Sequence, residues 1–280
     1  MKKILVPVDF SEYSEYALEV AAKLAREHDA EIFVYHMMGL NDSVLTREES
    51  NQVFEAIFHM KLAEKHFAEF LDKDYLEGIK VTDTVQNYKD FGEVNNLAKE
   101  LDADLIVMGS HGSSGLSEIF VGSNTEKVVR YSELPVLVVK ERRSNFLIRD
   151  AVFACDFKKE SLSAFNQAMN FFDNVGADVK LLYVNLPNEK FRSTGETEKR
   201  VREFLTEAGP TGMDRIDDVV YYNDYSVEDG VFHYALKMNA DVISLPTHGR
   251  RGLAHFFSGS IGEDLVNHAT VPVITFKIND

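Results

Sequence analysis

The sequence predicts an α/β protein built from two tandem, doubly wound, five-stranded and mainly parallel sheets flanked by helices. Three observations carry that expectation. Segments recur at a nearly constant offset, strand and helix patterns alternate within each copy, and the strands are apolar at consecutive positions. "ILVPVDFSEYSEYAL" is echoed by "AVFACDFKKESLSAF", which aligns Asp9 with Asp156. "ADLIVMGSHGSSGLSEIFVGS" is echoed by "ADVISLPTHGRRGLAHFFSGS", and "ELPVLVVK" by "TVPVITFK". Internal repetition of this length indicates duplicated domains. The expected boundaries are 1–143 and 149–280, with the joint near "ERRSNFLIRD". At 280 residues, each half is long enough for its own core.

The first copy opens with the strand "KKILVPV" and a helix whose apolar positions Tyr16, Ala17, Val20, Ala21, Leu24 and Ala25 recur with helical period. "EIFVYHM" is the second strand. A long helix over about 47–72 follows, with Val53, Ile57, Met60, Phe67 and Leu71 expected to face inward. "GIKVTDTVQ" and "DLIVM" are the third and fourth strands, "SNTEKVVR" a helix, and "PVLVV" the last strand. In the second copy Ala164, Phe165, Ala168, Met169 and Phe172 repeat the first helical stripe, before "DVKLLYVN", the shorter helix "ETEKRVREFLTEA" and "DDVVYYN". Runs such as "LIVM" and "VLVV" imply strands covered on both faces by helices. Strands that alternate with helices form parallel sheets, whose ligands sit at the carboxyl ends of the strands.

Composition excludes several classes. The net charge is -16, with 26 acidic against 16 basic residues over 1–143 and 20 against 14 in the remainder, so neither nucleic acid nor an anionic membrane is the expected partner. The single cysteine, Cys155, excludes an intramolecular disulfide and a multi-cysteine metal site. The apolar run behind Lys2 and Lys3 is broken by Pro7 and Asp9, too soon for a signal peptide or a membrane span. A cytoplasmic protein is expected.

The run "GSHGSSGLSEIFVGS" begins at the end of the fourth strand. It matches neither the G-x-x-x-x-G-K-[ST] nor the G-x-G-x-x-G phosphate loop. It reads instead G-x2-G-x9-G-S, on Gly109, Gly112, Gly122 and Ser123. Gly109 and Gly112 can bring bare backbone N–H groups to a phosphate, and Ser123 and Asn124 open a helix whose N-terminus favours an anion. The alternative is that Ser123 is an N-cap and the glycines are turns. Asp9 likewise has two readings, a ligand contact or a helix cap with Glu12 at capping-box spacing. His111 and His248 occupy matching loop positions with no partner at metal-ligand spacing, and are read as turn residues rather than a metal site or catalytic bases.

These segments together, "ILVPVDFSEYSEYAL", "DLIVMGSHGSSGL", "VGSNTEKV" and "PVLVV", resemble the universal stress protein family over essentially all of both copies. The resemblance implies the adenine nucleotide alpha hydrolase-like fold and a regulatory stress-response protein that binds ATP, ADP or AMP, with Mg2+ as a companion of the nucleotide. It places Pro7 and Asp9 beside adenine and ribose, Met37 and Met108 along the base, and Gly109, Gly112, Gly122, Ser123 and Asn124 on ribose and phosphates. It also implies that the apolar edge strands "PVLVV" and "PVITF" pair within the chain as a built-in pseudo-dimer. No catalytic residue is indicated, and hydrolysis is expected to be weak at most. The alternatives are a nucleotide-independent scaffold for a protein partner and a slow ATPase. The second copy departs from the motif: Pro246 stands for Gly109, Ala154 for Pro7 and Ile261 for Asn124, while Gly249, Gly259 and Ser260 keep the spacing. Arg250 and Arg251 are anion-attracting loop residues in that copy. One nucleotide per chain, in the first domain, is the expectation.

Overall fold

The computed structural model describes residues 1–37, 49–86, 93–110, 123–247 and 271–278. The chain forms two compact units, the first comprising Met1–Gly115, Gly122–Leu134 and Val138–Phe146, the second chiefly Leu147–Asp280 together with Pro135–Leu137.

In the first unit β1 (Lys3–Val8) leads into α1 (Glu12–His28), β2 (Glu31–Met37) and α2 (Glu49–Phe70). β3 (Val81–Gln86), α3 (Glu93–Glu100), β4 (Leu105–Gly109), α4 (Ser123–Tyr131) and β5 (Val136–Val139) complete it. The strand order is β3-β2-β1-β4-β5. β1 runs parallel to β2, with Ile4 opposite Ile32 and Val8 opposite His36. On its other side β1 meets β4 only at Ile4–Leu105 and Leu5–Ile106, after which the two strands part. Chain order reverses between β1 and β4, so their diverging carboxyl ends open a crevice at the switch point. β4 and β5 are buried at every position, as consecutive apolar residues require of strands covered on both faces.

Of the expected stripe of α1, Ala17, Val20, Ala21, Leu24 and Ala25 are buried, whereas Tyr16 is only half-buried and turns its hydroxyl to Glu12. Ser11, two residues after Asp9, is the N-cap, and its side chain accepts the Ser14 N–H. The capping-box alternative for Asp9 and Glu12 is thereby corrected. Glu12 is already helical, and its carboxylate accepts the Tyr16 hydroxyl at 3.0 Å. α2 ends at Phe70, so Leu71 lies beyond it, whereas Phe67 is buried as expected. The side chains of Val53, Ile57 and Met60 lie outside the described residues.

The second unit repeats the plan with β6 (Asp150–Ala154), α5 (Leu162–Val175), β7 (Asp178–Asn185), α6 (Thr194–Glu207), the short α7 (Pro210–Met213), β8 (Val219–Asn223), α8 (Val227–Lys237), β9 (Val242–Thr247) and β10 (Val273–Lys277). Within it the order is β10-β9-β6-β7-β8. β6 pairs with β9 only as far as Phe153–Ser244, so a second crevice opens at the matching switch point. α5 buries its predicted stripe of Ala164, Phe165, Ala168, Met169 and Phe172.

Candidate functional site

The crevice of the first unit is assembled around Asp9. Its Oδ1 accepts the Ser11 N–H at 3.1 Å, the Ser11 hydroxyl at 2.6 Å and the Ser14 hydroxyl at 2.6 Å. The Asp9 N–H in turn donates to Ser14 Oγ at 3.1 Å. Three donors on one oxygen fix the carboxylate in place. The next residue, Phe10, turns the chain with φ of 62°, an uncommon conformation for a bulky residue. Its ring packs against His36 at 4.4 Å and edge-on to Phe67 and Phe70 at 5.0 and 5.5 Å, contacts that hold the turn. His36 Nδ1 lies 2.9 Å from the Val8 carbonyl and donates to it in the Nδ1–H tautomer. Burial of the ring lowers the His36 pKa, against the opposing pull of the Val8 carbonyl and Asp9.

Gly109 ends β4, and its role differs from the expectation. It is not among the positive-φ glycines. A Cβ there would stand 2.7 Å from the Tyr13 carbonyl carbon and oxygen and 2.8 Å from Tyr13 Cβ. Glycine is therefore required first by the close approach of α1 to β4. The donor reading survives on other grounds. The Ser110 N–H points to β5, donating to Val139 at 2.9 Å. Successive N–H groups of a strand alternate in direction. The Gly109 N–H thus points toward β1, where the ladder has ended. The Gly109 carbonyl accepts the Thr125 hydroxyl at 2.8 Å, a buried bond that ties the first turn of α4 to the strand end.

The other predicted residues that are described fall in or near the carboxyl ends of β1, β2 and β4 and at the start of α4. Pro7 is buried in β1, opposite Tyr35. Met37 ends β2 in register with Gln86, and Met108 is buried in β4 beside Gly109. Ser123 begins α4 and Asn124, half-buried, follows it. Gly112, Gly122 and His111 lie outside the described residues, as do His248, Gly249, Arg250, Arg251, Gly259, Ser260 and Ile261. Ser11, Ser14, Tyr13, His36 and Thr125 belong to the same locus and were not singled out in the sequence. The "FSEYS" and "GSNT" segments carried the available signal, hydroxyls within a helix's first turn.

The universal stress protein family matches residues 1–140 and again residues 148–277. The chain belongs to the universal stress protein family. A universal stress protein of Methanocaldococcus jannaschii is 34% identical over 157 residues, covering 51% of this chain and 97% of that protein. One of Bacillus subtilis is 32% identical over 147 residues, covering 49% of this chain and 98% of its own length. Among solved structures, a universal stress protein of Archaeoglobus fulgidus superposes with a TM-score of 0.63 over 99% of this chain and 97% of that one, at 20% identity. That likeness establishes the fold. Among the described residues of this universal stress protein, no cluster of His, Cys, Asp or Glu could hold a metal, and no helix is long and apolar enough to cross a membrane.

The second unit presents the matching locus in a different state. Asp156 Oδ1 accepts the Lys158 N–H at 3.2 Å, and its carboxylate pairs with Lys158 Nζ at 2.7 Å. The Cys155 thiol is buried, which pushes its pKa up to about 12 and keeps it protonated at neutral pH. Phe157 turns the chain with φ of 51°, as Phe10 does in the first copy.

Proposed function

We propose that the first domain binds ATP or a related adenine nucleotide, and that occupancy of this site makes the chain a regulatory stress-response protein rather than a catalyst. The observation that carries the reading is the fixed Asp9 carboxylate at the diverging ends of β1 and β4, beside a strand end whose Gly109 N–H faces the crevice. A carboxylate so held is suited to accept ribose hydroxyls. Gly109, Gly112, Gly122, Ser123 and Asn124 would serve the phosphates, and Pro7, Met37 and Met108 the base. Mg2+ would be carried by the nucleotide's own phosphates.

Titration calorimetry tests the reading, with an expectation of one adenine nucleotide per chain. Gly122→Val should lower affinity by at least about tenfold while leaving the fold intact, because a β-branched side chain occupies the phosphate's place. Unchanged affinity in a folded variant removes the phosphate assignment. Two equivalent sites would remove the asymmetry between the domains. No nucleotide, either copurified in acid extracts or bound on titration, would favour the scaffold, and steady-state phosphate release would expose a slow ATPase. The pseudo-dimer expected from the two apolar edge strands is part of the proposal. Rapid hydrogen exchange throughout both Val136–Val139 and Val273–Lys277 would overturn it.

A further inference from the structure

The second domain holds a cavity of ≈540 Å³ at the carboxyl ends of β6, β7 and β9, within the range of roughly 300–1,000 Å³ usual for small-molecule sites. Its apolar wall includes Leu182, Val184, Leu186, Leu245 and Ile278. The neutral Cys155 thiol adds no charge to that wall. At the mouth, Lys158 lies 2.7 Å from Asp156 and 3.7 Å from Glu160, and is committed to both. Arg200 donates to the Asp156 carbonyl oxygen at 3.4 Å. Lys190 also lines the cavity, is exposed, and forms no ion pair with any described residue. Among the residues that line the cavity two lysines stand against two carboxylates, both carboxylates are engaged by Lys158, and Lys190 is the cation committed to neither.

The backbone here is poorly suited to an oligophosphate. Pro246 lines the cavity at the position that matches Gly109 and has no N–H to donate. Ile243 donates to Pro272 on the β10 side, so by alternation the missing donor is the one that would face β6 and the crevice. We propose that this cavity binds a small organic carboxylate with an apolar body, its chain against Leu182, Leu245 and Ile278 and its anionic end on Lys190. The proposal is independent of the nucleotide reading for the first domain.

Octanoate is the probe, titrated calorimetrically into the full chain at neutral pH. One equivalent should bind, and saturating ATP should leave that affinity unchanged. Lys190→Met, at an exposed position that leaves the fold intact, should weaken binding about tenfold, the usual scale of a charge-assisted hydrogen bond. Octylamine, with the same body and the opposite charge, should bind at least tenfold more weakly. Any of four results overturns the proposal: no octanoate binding, equal affinity in Lys190→Met, equal affinity for octylamine, or displacement by ATP. The last would reassign the cavity to nucleotide. A failure of ATP to bind at all bears only on the first domain.

Discussion

The starts of α1 and α5 occupy equivalent places in two copies of one fold, yet they meet the sheet differently. In the first copy the Tyr13 backbone presses against Gly109 so closely that a methyl group has no room. In the second copy Glu160 and Pro246 take those positions, and both line a cavity instead. A three-residue 3-10 turn, Lys159–Ser161, precedes α5 where α1 begins as a regular helix behind its Ser11 cap. Any residue with a Cβ excludes the close approach that glycine allows, and at this position Pro246 lines the cavity. The corner before the helix is unchanged, since Phe10 and Phe157 share a positive φ and both are packed by rings, Phe157 edge-on to Phe204 at 5.4 Å. Divergence after duplication has thus acted on the strand end and on the loop's hydrogen bonds, not on the strained turn that shapes them.

The largest effect expected from this comparison is steric. Gly109→Ala forces a Cβ into the Tyr13 backbone at 2.7 Å. Backbone cannot move aside as a side chain can, so the first domain should lose about 3 kcal/mol, the upper part of the overpacking range. Pro246→Ala, facing a cavity, should change stability by less than about 1 kcal/mol. Denaturant unfolding of both variants decides the matter. Equal losses would show that Gly109 is not kept for the approach of α1.

Next in size is the anchoring of the aspartates. Ser14→Ala removes one donor to Asp9 and the acceptor of the Asp9 N–H, at a cost of about 1–2 kcal/mol. Nucleotide affinity should fall with it, and dATP should lose less than ATP if Asp9 contacts the ribose 2′-hydroxyl. The matching Ser161 hydrogen-bonds Cys155, so Ser161→Ala should leave Asp156 on Lys158 and ligand binding in the first domain unaltered. If Ser14→Ala and wild type bind ATP equally, the fixed carboxylate is not the ribose contact.

A smaller effect is expected at the middle of the same helix. Glu19 is 5% exposed and accepts from Arg142 Nε at 2.8 Å, whereas Asn166 at the equivalent place in α5 is exposed and needs no such partner. Arg142→Met would leave a buried carboxylate short of a donor and lower the unfolding midpoint of the first domain. Asn166→Ala should not move that of the second. An unchanged midpoint in Arg142→Met would mean that water replaces the guanidinium.

The periodic features were legible in the sequence because they depend on neighbours three or four residues away. The stripes of α1 and α5 are of this kind, and the doubly buried β4 and β5 were legible from their consecutive apolar residues. Gly109 was legible as special, but not for its first reason, since the atom that forbids a side chain belongs to Tyr13, far away in sequence. The capping alternative for Asp9 could not be settled from the sequence because Asp9 and Ser11 are both good caps, and the helix uses Ser11, beyond the turn at Phe10. Thr125 escaped notice for a related reason. Its hydroxyl bonds a carbonyl on the preceding strand rather than its own helix.

The smallest effect concerns protons. Burial lowers the His36 pKa below its usual 6.5, and nearby His66 acts in the same direction, while the Val8 carbonyl and Asp9 oppose it. His28, at the end of α1, is lowered by burial and by the chain's amino terminus. A histidine with a depressed folded pKa binds fewer protons folded than unfolded between that pKa and 6.5, so stability falls as pH drops through this window. The loss is complete below the folded pKa, and no such slope is expected from these groups above pH 7. The first domain should accordingly melt at a lower temperature at pH 5.5 than at pH 7.5. His36→Asn places an amide donor near the original Nδ1, retains the bond to Val8 and removes the titration. It should melt with a shallower pH dependence than wild type, the remainder being due to His28. Equal slopes in the two proteins would show that protonated His36 is accommodated, with Asp9 close enough to offset the cost of burying its charge.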